Sequence, residues 1–517
     1  MVDDSEARPA ETIDLIPVAT LARGWTIDAM LQIRQPSPSG GGQRQKGERK
    51  GDRMSGRLHP LEEGWKIHQQ GRVVEAEQIY RGVLDSNPRD PAAWCYLGIA
   101  LHDRKQYHAA VDAYRMAIQL KPEFPIAWNN LGNSLRYLME VEQADQAFLR
   151  AIALQPGYAN AYRNRGTLHI WNGNLELARE SFQEALRCKP DDPELHRNQG
   201  ILHLLKGEYQ QGWEEYAWRW QCNDMRRPTY QQPLWKGARL EGKTLLLYAE
   251  QGLGDCIHFL RYADVARQQG AKVLVHGPAR LTPLLSNYPG ADQWIPQSSE
   301  VELPFDLHGS LIDAAHWTGC RLGAIPAAER TIVAPLGAAR YWKEWFQNRF
   351  PQGFRVGLMW QGSRENQADP FRSFPLKELL PLASVQNVHW FSLQMGDGVE
   401  QLVDWRASSP LHPLPADADK ARGAFVDTAG ILEQLDLMVT CDSSLGHLAA
   451  SMGIPTWILL GYVPDWRWML NRDDSPWYST VRLFRQERLG HWASAVRNLK
   501  GALEAKVQQG GSKARRG

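Results

Sequence analysis

Three short stretches of this chain combine residue types at spacings suited to holding a phosphate and moving a proton. In the first, Gly252, Gly254 and Asp255 follow the apolar run Lys243 to Tyr248 and precede a helical stretch from Cys256 to about Gln269. Glycines there let backbone N–H groups approach an anion, and a carboxylate at a strand's carboxyl end can take a proton from a substrate hydroxyl or simply cap the helix. One turn on, His258 either orients that hydroxyl or is a satisfied helix histidine. In the second stretch, Asp442-Ser443-Ser444-Leu445-Gly446-His447 leaves an apolar run and opens a helix, so free N–H groups and the positive helix end can face a phosphate. Ser443 and Ser444 would add hydroxyl donors, Asp442 reads equally well as an N-cap, and His447 has the same two readings as His258. In the third, Arg364 and Arg372 flank a loop containing Gly362 and Ser363, where either guanidinium can grip a diphosphate in bidentate fashion. Trp466, Arg467, Trp468 and Trp477 form a late aromatic cluster able to stack on a sugar or base, or to brace neighbouring helices.

These residues need rigid elements to position them. Strands are expected near 243–248, 272–276 and 306–310, and again near 355–360, 388–393, 437–441 and 456–460, with helical segments near 376–382, 429–435 and 445–452 between the later ones. Strand, glycine-rich turn, helix and strand in that order imply doubly wound parallel sheets, and two such Rossmann-like lobes imply a cleft where strand carboxyl ends meet, the architecture called GT-B. A dinucleotide fingerprint is excluded, because Gly252-Leu253-Gly254-Asp255-Cys256-Ile257 lacks its third glycine.

The first half follows a different rule. Gly64, Gly98, Gly132, Gly166 and Gly200 recur every 34 residues, as do Ala76, Ala110, Ala144 and Ala178. Tyr80, Tyr114, Phe148, Phe182 and Tyr216 keep the same spacing, as do Pro88, Pro122, Pro156 and Pro190, with Trp94, Trp128 and Tyr162 as a further column. Small residues let antiparallel helices approach, the aromatic fills the gap between neighbours, and proline ends the second helix. The pattern resembles the tetratricopeptide repeat, with three good copies between 92 and 190 and poorer ones on either side, and implies an α-solenoid that binds an extended peptide or a partner protein. Asn129, Asn130, Asn133, Arg163 and Asn164 lie on first helices, where they would either clamp a peptide backbone or sit as ordinary solvated positions.

Composition narrows the function classes. Lys and Arg number 59 against 58 Asp and Glu, so no global field recruits nucleic acid or an anionic membrane. Six cysteines without a Cys-x-x-Cys pair indicate neither a disulfide framework nor a thiolate zinc site. The acidic start and the lack of any apolar run of roughly 20 residues point to a cytoplasmic chain with no membrane span. Residues 1–57, rich in Gly, Gln, Lys and Arg from Pro36 onward, are expected to be a disordered tail.

Gly254-Asp255-Cys256-Ile257-His258 and Asp442-Ser443-Ser444-Leu445-Gly446-His447-Leu448-Ala449-Ala450 resemble the paired signatures of the heptosyltransferase family (glycosyltransferase family 9-like) over roughly 240–500. A bacterial group in which tetratricopeptide repeats precede such a domain is similar at Trp360-Gln361-Gly362-Ser363, Arg372-Ser373-Phe374-Pro375-Leu376 and Pro464-Asp465-Trp466-Arg467-Trp468. The resemblance implies an inverting, metal-independent hexosyl- or heptosyltransferase without a cofactor: Asp255 and His258 would be catalytic, and Gly252, Gly254, Ser363, Arg364, Arg372, Asp442, Ser443, Ser444, Gly446 and His447 would bind a nucleotide-sugar donor. The family's usual lysine has no counterpart, and its Asp-Thr-Gly reads Asp442-Ser443-Ser444, so sugar and nucleotide stay unnamed. The expected order is a tail (1–57), a repeat array (58–222), an N-terminal Rossmann-like lobe (240–340) and a C-terminal nucleotide-sugar-binding lobe (353–507). The acceptor would be a protein chosen by the repeats or a cell-surface glycan, and the rival reading is an interaction scaffold whose transferase-like domain is inactive.

Overall fold

A computed structural model describes residues 59–327, 330–366 and 369–514, so the expected tail lies outside the described residues. The described chain divides into two compact units, one ending at Asn198 and one starting at Gln199.

The first unit is a run of antiparallel helix pairs: Pro60–Gln69 with Val73–Ser86, Pro91–Asp103 with Tyr107–Leu120, Pro125–Tyr137 with Val141–Leu154, and Ala159–Trp171 with Leu175–Cys188. The repeating glycine has a direct cause. A Cβ on Gly98 would lie 2.6 Å from the Tyr114 ring, on Gly132 2.7 Å from Phe148, and on Gly166 2.5 Å from Phe182. The Ala columns at 76, 110, 144 and 178 are wholly buried between the same helices. Proline works as expected and also does more, since its carbonyl accepts the indole N–H six residues on, Trp94 to Pro88 and Trp128 to Pro122, both at 2.9 Å. Asn129, Asn130, Asn133, Arg163 and Asn164 are not solvated: all are buried, and Asn164 donates to Asn129 at 2.9 Å.

A further pair, Pro193–Lys206 and Tyr209–Tyr216, continues the period, but from Gln199 onward its residues pack with the second unit. Gly200 keeps the rule in a tighter form, its would-be Cβ meeting the Tyr216 backbone nitrogen at 2.5 Å.

The second unit holds two all-parallel sheets. Strands β1 (Thr244–Tyr248), β2 (Lys272–Gly277), β3 (Gln293–Pro296) and β4 (Leu307–Ser310) form one in the order β3-β2-β1-β4. Strands β5 (Phe354–Met359), β6 (Val388–Ser392), β7 (Leu411–Pro413), β8 (Leu437–Thr440), β9 (Thr456–Leu460) and β10 (Val481–Arg485) form the other in the order β10-β9-β8-β5-β6-β7. Read from β7, that is the 3-2-1-4-5-6 order of a doubly wound sheet. Central strands are apolar throughout, β8 and β9 being buried at every position, as sheets covered on both faces require.

The sequence expectation missed β3, β7 and β10, and it drew one helix where there are two, Leu253–Phe259 and Arg261–Gln268. The first begins with Gly252 as its N-cap, so Asp255 is the third helical residue instead of part of the preceding turn.

Candidate functional site

In doubly wound sheets, ligands bind beyond the strand carboxyl ends where strand order reverses. Here β5 lies between β6 and β8, and β1 between β2 and β4. The chain leaving β5 is Trp360-Gln361-Gly362-Ser363, the chain leaving β8 is Cys441-Asp442-Ser443-Ser444, and the chain leaving β1 is Ala249-Glu250-Gln251-Gly252. Expected site residues therefore fall at these two reversals.

The helices that follow β1 and β8 meet at their starts. At Gly254 the approach is close: a Cβ there would lie 3.2 Å from the His447 ring and 3.4 Å from the Ser444 Cα. Ser443, not Asp442, is the N-cap of the helix Ser444–Ser451: its hydroxyl accepts the Gly446 N–H at 3.4 Å and bonds Thr440 Oγ1 at 3.1 Å. That gives the Ser443 hydroxyl partners inside the fold, whereas the N–H groups of Ser444 and Leu445 belong to a first turn that cannot bond them internally. Gly446 packs on β8, a Cβ there lying 3.1 Å from the Thr440 methyl.

Asp255 forms a buried ion pair with Arg467, which also binds Asp465 at 2.8 Å and lies 4.5 Å over the Trp466 ring. Asp255 is the third residue of its helix, in the first turn, where the positive helix end favours a carboxylate. Burial pushes its pKa up, Arg467 opposes this, Asp465 adds to it and Arg372 opposes it. Asp442 is raised further, to about 6, by burial and by Asp465, against Arg372, Trp468 and Arg467. Three carboxylates and two guanidiniums thus share one buried neighbourhood beside two helix starts.

Of the two arginines expected there, the structure brings in Arg372. Its guanidinium packs against Gly362, where a Cβ would lie 2.7 Å from Nη2, its Nε has no hydrogen-bond partner, and its nearest carboxylate contact is Asp369 at 3.9 Å. Its charge acts on Asp255, Asp442 and His447. Arg364 is half-exposed and paired with Glu400, and its N–H donates to Asp397 at 2.9 Å, while Ser363 is exposed with its hydroxyl accepting the Glu365 N–H at 3.3 Å. Neither Arg364 nor Ser363 joins the carboxylate cluster.

The histidines lie deeper. His258 Nδ1 and His447 Nδ1 both bond the Tyr478 hydroxyl, at 2.9 and 3.2 Å, and their ring centres are 5.0 Å apart. Burial first, and then nearby arginines, push both well below the ordinary histidine range, so both are neutral. His258 is fully buried against Trp477 and bonds Tyr478, which agrees with the satisfied helix histidine of its two expected readings. His447 stacks on Trp468 and has Nε2 4.0 Å from Asp442. The tryptophans 466, 468 and 477 are buried as a brace.

Sequence reasoning missed the Asp255–Arg467 pair and a second buried cluster. Arg219 grips Glu250 with two bonds of 2.7 Å and Asp313 with one of 2.6 Å, joining the carboxyl ends of β1 and β4. Partners so far apart in the chain leave no local signal.

Comparison with known proteins supports the first unit. The family described as tetratricopeptide repeat matches residues 129–193 and 172–212, and a second described as TPR repeat matches 98–137. Solved structures similar to the chain include MamA (23% identity, 31% of this chain and 92% of that one, TM-score 0.27). A thermophilic TPR protein of Thermus thermophilus (22%, 31% and 89%, 0.30) and PilW, a type IV pilus biogenesis factor (20%, 32% and 77%, 0.30), are similar to the same extent. Protein FlbA of Caulobacter vibrioides is 25% identical over 314 residues, 57% of this chain. The chain spans about half the length of that relative, 52%. Tetratricopeptide repeats mark this part of the chain as a protein-interaction module. Among the described residues no helix is long and apolar enough to cross a membrane.

Proposed function

We propose that the two parallel sheets are the lobes of a GT-B glycosyltransferase, and that the chain moves a sugar from a nucleotide-sugar donor to a hydroxyl on an acceptor that the repeats select, a protein in the favoured reading. The observation that carries this reading is the convergence of Arg372 and the start of the helix Ser444–Ser451 with Asp255 and Asp442 at the strand-order reversals.

In this reading the donor diphosphate lies against the Arg372 guanidinium and the Ser444 and Leu445 N–H groups, which answer the charge that builds on the leaving group. Asp442 faces the donor sugar's hydroxyls. The acceptor oxygen attacks the anomeric carbon as the bond to the diphosphate breaks, its proton passes to the Asp255 carboxylate, and the nucleoside diphosphate departs with the bonding electrons. Arg467 holds Asp255 in one orientation. His258 and His447, neutral and bonded to Tyr478, position the two helices and do not touch substrate.

The test uses the full chain with nucleotide-sugar turnover and donor binding read separately. Asp255→Asn should lower turnover by about 10² to 10⁴ with donor affinity nearly unchanged, as loss of a general base requires. Arg372→Ala should weaken donor binding instead. Near-normal turnover in Asp255→Asn makes the carboxylate a cap and an ion-pair partner only.

A further inference from the structure

The Tyr478 hydroxyl carries a single proton and lies 2.9 Å from His258 Nδ1 and 3.2 Å from His447 Nδ1, so it donates to one ring and accepts from the other. The three side chains are closed off from solvent, His258 at 0%, Tyr478 at 1% and His447 at 5% exposed. Neither ring takes up a second proton. Burial is the first cause, and the Arg261 and Arg467 guanidiniums act in the same direction on both, with Arg372 adding to the effect on His447. Arg261 also lies 4.6 Å over the Tyr478 ring. Each neutral imidazole therefore holds one proton, on Nδ1 or on Nε2.

Two arrangements satisfy that count. In one, His258 Nδ1–H donates to the Tyr478 oxygen and the Tyr478 O–H donates to His447 Nδ1, which leaves the His447 proton on Nε2, the ring atom 4.0 Å from Asp442 Oδ1. In the other the direction is reversed. His447 Nε2 then sets a bare lone pair against the Asp442 carboxylate, and the His258 proton falls on Nε2, a buried atom with no hydrogen-bond partner among the described residues. A buried N–H without an acceptor costs more than a lone pair without a donor, and a carboxylate attracts an N–H and repels a lone pair. Both terms select the first arrangement.

We propose that Tyr478 is a positioning residue that fixes the tautomers of both histidines, in a directed chain from His258 through Tyr478 to His447 that leaves the His447 Nε2–H facing Asp442. The consequence for a ligand rests on the transferase reading: an N–H beside Asp442 keeps that carboxylate an acceptor for the donor's hydroxyls. The order of the protons stands without that reading.

The experiment records long-range proton–nitrogen NMR spectra of the full chain near neutral pH with isotope-labelled histidines, the two signals being assigned by their loss in His258→Gln and His447→Gln. His447 should carry its proton on Nε2 and His258 on Nδ1, each as a single neutral tautomer. The reverse pattern, or a charged ring at either position, overturns the proposal, and the wild-type spectrum alone decides this. Tyr478→Phe keeps the ring and removes the hydroxyl, so His258 should lose its single Nδ1–H form; retention of that form overturns the role given to Tyr478. Nucleotide-sugar affinity, read in parallel, should fall by about three- to tenfold in Tyr478→Phe and in His447→Leu, and by less in His447→Gln, whose amide N–H reaches toward the Nε2 position. Equal losses in the Gln and Leu variants make His447 a packing residue and overturn its positioning role. A wild-type chain that binds no nucleotide sugar defeats the transferase reading, whereas the spectra still support or overturn the hydrogen-bond chain.

Discussion

Arg467 is the sole guanidinium paired with both Asp255 and Asp465 among the described residues, so its removal tests whether the candidate site is built as a charge-balanced unit. In Arg467→Met the side-chain stem is kept and the charge is lost. The three side chains are 4%, 13% and 5% exposed, so solvent screens little of the interaction. Breaking a buried pair by removing one partner costs about 3–5 kcal/mol, and here two carboxylates are stranded at once, which places the loss toward the upper end at about pH 8. Protonation relieves it. Asp255 already has a folded pKa above its unfolded value near 3.9, so its favourable contribution is complete below that value and is lost as pH rises through the folded pKa. Arg467 opposes that rise, and its removal moves the folded pKa further up. The difference between wild type and variant should therefore shrink on acidification, by up to about 1.4 kcal/mol per pH unit for each proton taken up. Urea denaturation followed by tryptophan fluorescence at about pH 8 and about pH 5 measures both numbers, with Arg467→Lys expected to lose less. A loss below about 1 kcal/mol at the higher pH, or an equal loss at both, refutes the charge-balance reasoning.

Two further outcomes follow from local geometry. Gly132→Ala should destabilise the repeat unit, since overpacking of about 1–3 kcal/mol against Phe148 exceeds the roughly 1 kcal/mol gained in helix propensity; Gly82→Ala, where nothing lies within 4 Å of the new Cβ, should stabilise it, and thermal melting of both variants checks the contrast. Asp442→Asn should raise stability at about pH 8 by up to ~3 kcal/mol and change it little near pH 4, because a folded pKa of about 6 means the native carboxyl's contribution is complete below the unfolded value and lost as pH rises through about 6; pH-dependent melting of the two proteins measures it.

The repeat array was legible because its constraint recurs: the glycine at 98, 132 and 166 answers the same ring, so period and residue type carry the same message. The central strands were legible because strands covered on both faces read as continuous apolar runs. Strands β3, β7 and β10 were not, being short or carrying polar residues such as Gln293, Arg482 and Arg485. Within the site, sequence placed Asp255 and Asp442 at strand ends but could not choose the cap in Asp442-Ser443-Ser444, where all three residues are of types that cap well and only geometry selects Ser443. It also could not separate Arg364 from Arg372, since the fold of the loop sends one to Glu400 and the other toward the carboxylates. The partnership of Asp255 with Arg467 spans 212 positions, and the burial of His258 depends on Tyr478, 220 positions away.

Donor binding by the parallel-sheet unit is the claim on which the transferase reading rests, and melting of the full chain against a set of nucleotide sugars and nucleoside diphosphates measures it directly. A ligand at about 100 times its dissociation constant should stabilise the unit that binds it by about 2.7 kcal/mol, raising its transition by about 4 °C for a unit of roughly 300 residues, and Arg372→Ala should remove most of that shift. If no nucleotide or nucleotide sugar moves the transition, or if Arg372→Ala keeps the full shift, this site does not bind the donor.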